Sequence, residues 1–107
     1  MGRLGIDQDA LETFLQAVRT RFPLVRAILF GSRARGNELL ESDYDLILVS
    51  PAFAPIPFPT RAAAINDLWH LDAPLEVLCY TPEEFQRKAQ EISVVAEAER
   101  EGMELIA

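Results

Sequence analysis

The stretch Phe30–Val49, FGSRARGNELLESDYDLILV, decides how this 107-residue chain is read. Its last six residues, YDLILV, are an apolar run of strand length. Its first residues close a second such run, LVRAILF, which ends at Gly31. Side chains alternate along a strand, so Asp43 and Asp45 project from one face about 6.5 Å apart, followed there by Ile47 and Val49. Two like charges at the mouth of a buried strand are costly unless something compensates them.

Outward from this stretch the chain alternates helices and strands. Leu11, Phe14, Leu15, Val18 and Phe22 have helical spacing, and Asp9 with Glu12 reads as a capping box. NELLE (37–41) reads as a short helix between the first two strands. Pro51, Pro55, Pro57 and Pro59 predict an extended loop. A helix is expected after Thr60, burying Ile65, Leu68 and Trp69 and stopping near His70. LEVLCY (75–80) is a third strand. One last helix opens with Thr81 as N-cap, Pro82 at the first helical position and Glu84 closing a capping box. Phe85, Ala89, Ile92 and Ala96 would line its inner face, Gly102 would end it, and MELIA would add an edge strand. The order α-β-α-β-α-β-α predicts an α/β (α+β) fold, one domain over residues 1–107 with a small mixed sheet packed by helices.

A crossover helix between the second and third strands makes them parallel. Glu76, which opens LEVLCY, then lies at the same sheet end as Asp43 and Asp45. Antiparallel pairing of the first and second strands brings Gly31 there too. Convergent carboxylates repel and call for a cation. Hard ions such as Mg²⁺ take oxygen ligands, and two of them can clamp an in-line displacement at phosphorus. Gly31 lets a phosphate approach the backbone, Ser32 offers a hydroxyl and an amide, and Arg33 or Arg35 supplies positive charge. GSRARG has neither the ending of a P-loop nor the dinucleotide-binding glycine spacing.

Composition narrows the alternatives. A net charge of −7 argues against a broad basic surface for nucleic acid. The single Cys79 excludes an internal disulfide and a cysteine-based zinc site, and the single His70 excludes a histidine-rich metal cluster. No apolar run is of membrane-spanning length, and the start MGRLGIDQDALE matches neither a signal peptide nor a myristoylation site. A cytoplasmic location is the expectation. Cys79 and Trp69 read as core, and His70 as a helix-end residue. Phe53 and Phe58 fall in a crossing segment whose base-stacking role is disfavoured.

LFGSRARG followed by SDYDLILV resembles the signature of the DNA polymerase β-like nucleotidyltransferase superfamily, and the chain is similar over nearly its whole length to the minimal nucleotidyltransferases. The resemblance implies that Gly31 and Ser32 bind nucleotide phosphates, that Asp43 and Asp45 hold two Mg²⁺ (or Mn²⁺) ions, and that Glu76 is the third acid. Glu76 stands where Asp is commoner. Arg35 matches the family's Ala-Arg-Gly, whereas Arg33 occupies a more variable position. The implied activity is transfer of a nucleoside monophosphate, AMP from ATP, to a hydroxyl of a protein. Many minimal members resemble antitoxins paired with a helical HEPN-domain ribonuclease, which implies such a partner here. Two other readings stay open: a non-catalytic antitoxin that blocks its partner by binding, and a small-molecule nucleotidyltransferase subunit, which would need a second subunit to hold the acceptor. Self-association is left open.

Overall fold

The computed structural model describes residues 7–31, 43–91 and 93–106. Helix α1 (Gln8–Arg19) is amphipathic and buries Leu11, Phe14, Leu15 and Val18. Its cap is Asp7, whose side chain accepts from the Ala10 amide; Asp9 lies in the first turn, so the expected Asp9–Glu12 capping box gives way to a start two residues earlier. Phe22 lies past the helix and packs its ring 5.1 Å from that of Phe53.

Strands β1 (Arg26–Phe30), β2 (Tyr44–Val49) and β3 (Leu75–Tyr80) stand where the apolar runs predict them. NELLE lies outside the described residues. The proline-rich segment corrects the expectation of an extended loop. Pro51–Phe53 form a 3₁₀ turn capped by Ser50, and helix α2 (Phe58–Asn66) begins inside the proline cluster. Proline is tolerated in a helix's first turn because the amides there have no intrahelical acceptor. Phe53 is fully buried, worth roughly 2–3 kcal/mol of hydrophobic stabilisation. Leu68 and Trp69 follow the helix and are partly buried against the core.

The expected single final helix is two. Helix α3 (Pro82–Ala89) carries the full capping box between Thr81 and Glu84. Helix α4 (Val94–Glu101) restarts with Ser93 as its own cap, its hydroxyl oxygen accepting from the Ala96 amide. The restart shifts the inward face to Val95 and Ala98 in place of Ala96, and Ile92 lies outside the described residues. A side chain at Gly102 would collide with the Ala98 carbonyl and Ile28, so the lack of one lets α4 end close upon β1. Strand β4 (Met103–Ile106) then pairs antiparallel with β1.

The sheet order is β3-β2-β1-β4, mixed, with β2 and β3 parallel and the other pairs antiparallel. One face carries Leu29, Tyr44, Leu46, Leu48, Val77 and Cys79, packed with α1, Ile65 and Phe53. The other carries Ile28, Ile47, Val49 and Tyr80 beneath Phe85, Val95 and Ala98 of α3 and α4. Among the described residues no helix is long and apolar enough to cross a membrane.

Candidate active site

Three strand ends define one corner of the sheet. Phe30 pairs with Asp45 across the antiparallel β1–β2 ladder, and Asp45 pairs with Glu76 across the parallel β2–β3 ladder. Neighbouring strands lie about 4.8 Å apart, so two carboxylates in register on one face are adjacent. Asp45 shares its face with Ile47 and Val49, the side covered by α3 and α4. Asp43 sits one step back, just before the strand begins, and is half-buried like Asp45; Glu76 is exposed.

Gly31 completes the corner. Its φ of 79° is left-handed backbone, which glycine adopts without strain. A Cβ at this position would overlap the Asp45 carboxylate. The turn thus presses bare backbone against the acid.

The register that joins Asp45 to Glu76 has identifiable supports. The Tyr44 amide donates to the Pro74 carbonyl at 2.9 Å, opening the ladder. Just upstream, Trp69 donates through Nε1 to the Ala73 carbonyl at 2.7 Å. Its ring meets Phe14 and Tyr44 edge-on, at 4.9 and 5.2 Å between centroids. Trp69, expected as simple core, therefore pins the segment that delivers Glu76.

The far end of β3 is held by Arg61, which the sequence reading did not single out. Only 4 % exposed, it donates to the carbonyls of Ile56 (2.8 Å) and Cys79 (3.0 Å) and forks onto both Glu84 oxygens. Its guanidinium also lies over the Phe58 ring, 5.6 Å from the centroid. A signal was present: Arg61 and Ile65 are four apart, so a helix that turns Ile65 inward turns Arg61 inward too. Glu84 is held below the usual carboxylate range, chiefly by its hydrogen bond from Arg61.

Of the sequence-predicted site residues, Gly31, Asp45 and Glu76 come together at this corner, and Asp43 immediately precedes β2. Ser32, Arg33 and Arg35 lie outside the described residues. Among the described residues no three His, Cys, Asp or Glu side chains are gathered closely enough to form a ready metal cage. The donors at the corner are nevertheless carboxylate oxygens, the chemistry that suits a hard cation. Cys79 is buried, and burial pushes its thiol up to about 12, so it does not supply a thiolate nucleophile. His70 is exposed.

Comparison with known proteins agrees with this architecture. The family described as "Nucleotidyltransferase domain" matches residues 11–101, and the chain belongs to that family. A solved "putative nucleotidyltransferase" from Sulfolobus solfataricus has the same fold, with a TM-score of 0.55 at 24 % identity. The match covers 78 % of this chain and 84 % of that one. No curated protein matches the chain.

Proposed function

We propose that this protein is a minimal nucleotidyltransferase that moves AMP from ATP onto a hydroxyl of a protein acceptor, a HEPN-type toxin partner that it thereby neutralises. Family membership supports nucleotide transfer in general. The observation that carries the assignment of this corner is the in-register pair Asp45–Glu76, with the left-handed backbone of Gly31 seated against Asp45.

In this reading Asp43, Asp45 and Glu76 would hold two Mg²⁺ ions, which supply positive charge against the phosphates and acidify the acceptor hydroxyl. Gly31 and Ser32 seat the triphosphate through backbone and hydroxyl donors, and Arg33 and Arg35 balance its charge. The acceptor oxygen bonds to the α-phosphorus as the bridge to the β-phosphate breaks, and pyrophosphate departs toward Gly31 and the arginines. The hydroxyl proton passes to Glu76, which is exposed and can return it to water.

The test combines the protein, Mg²⁺, α-labelled ATP and a purified HEPN-domain protein. Label is expected on the partner, and Asp45→Asn is expected to abolish it while the two proteins still bind. Absence of label with freshly metallated wild type would overturn the catalytic reading. Protection that survives Asp45→Asn would assign neutralisation to binding instead.

A further inference from the structure

Along the face of β3 that begins with Glu76, alternation continues through Leu78 to Tyr80. Side chains on one face step by about 6.5 Å, so the row runs roughly 13 Å from the candidate active site. Beside its far end stands Phe58, the first residue of α2, 44 % exposed and with its ring 5.5 Å from that of Tyr80. Phe58, Leu78 and Tyr80 border a cavity of about 380 Å³, together with Glu84, Arg87 and Lys88 of α3. A space of that size is within the range that holds a ligand or a few side chains of a bound segment.

The chemistry of the walls selects the occupant. The border is apolar on the β3 side. On the α3 side Glu84 is already committed to Arg61 at 2.7 Å. Arg87 forms no ion pair among the described residues, and Lys88 reaches Glu91 only at 4.0 Å. Available charge there is therefore positive, although the whole chain carries −7. Tyr80 adds a third element, a phenol on the wall of the cavity whose O–H can donate to an acceptor. Burial raises the phenol above its usual range, with Glu84, Cys79 and Glu91 adding to the effect.

We infer that this groove seats the acceptor protein. The fitting segment presents a bulky apolar side chain to Phe58, Leu78 and Tyr80, next to a carboxylate that meets Arg87, Lys88 and the Tyr80 hydroxyl. Seated so, it leads along β3 toward Glu76. The acceptor role rests on the proposed function; recognition of such a segment does not.

Titration of the full chain, ¹⁵N-labelled and free of nucleotide and metal, with two acetylated hexapeptides separates the possibilities. One is Gly-Ser-Phe-Asp-Gly-Ser, the other Gly-Ser-Phe-Lys-Gly-Ser. The acidic peptide is expected to shift the amides of Phe58, Leu78, Tyr80, Arg87 and Lys88 and to bind about tenfold more tightly than the lysine peptide. The double substitution Arg87→Glu, Lys88→Glu is expected to reverse that order. Equal binding of the two peptides, shifts elsewhere, or no shift at millimolar peptide would overturn the groove. Peptide preference without AMP transfer would remove only the catalytic reading, and transfer without peptide preference only the groove.

Discussion

Gly31 shows how one residue can serve backbone and site together. Its left-handed φ costs an alanine about 1–2 kcal/mol from backbone alone. The Asp45 carboxylate occupies the space where a Cβ would stand. Gly31→Ala should therefore lower the melting temperature by about 4–8 °C for each kcal/mol lost, read by thermal unfolding. In an Asp45→Ala background the steric part should vanish and the backbone part remain, so the two losses should not add. An additive result would mean that Gly31 and Asp45 do not touch. At this scale the pairing of Asp45 with Glu76 was legible because strand alternation and the parallel register put both on one face of the sheet. Arg61 was not singled out because a lone arginine among alanines reads as a solvated residue until its helix face is counted.

Among elements, α2, β3 and α3 are tied by one buried guanidinium. Removing Glu84 leaves Arg61 short of its counter-charge, and because Glu84 is itself partly exposed the cost should be about 1–3 kcal/mol. The pH dependence has a definite sign. Glu84 titrates below its ordinary value of 4.5 when folded, so its contribution is complete above that value and is lost as pH falls through the lower folded one. Urea unfolding of wild type should accordingly weaken in acid below about 4.5, whereas Glu84→Gln should be less stable at neutral pH and flatter across that acid window. Strands were legible at this scale to within a residue or two, since apolar runs bounded by turns leave little choice. Helix ends were not. Proline density was read as excluding regular structure, yet Pro59 sits in a first helical turn, and Ser93 restarts a helix where periodicity alone suggested one continuous rod.

For the whole molecule, sheet order sets the gradient of protection. Strand β2 is flanked by β1 and β3 and covered on both faces, with Leu46, Ile47 and Leu48 fully buried. Its amides should be the slowest to exchange with deuterium, at or near the global unfolding free energy. Those of β4, a short edge strand whose register slips against β1 at Ala27 and Ile28, should exchange markedly sooner. Comparable rates in the two would contradict this layering. The parallel pairing of β2 with β3 was legible from the helical crossover between them, and the antiparallel pairing of β1 with β2 from the turn that ends the first strand at Gly31.

The place of β4 in chain order has a further consequence. Its ion pair from Glu104 reaches back 78 residues to Arg26. Synthesis runs from the amino end, so a ribosome making this protein releases β1 long before its second neighbour exists. Throughout that interval RAILF has one lateral edge open, and open apolar edges invite pairing with other chains. Completion of the sheet thus waits on the final few codons described, and the nascent chain depends until then on whatever else shelters that edge.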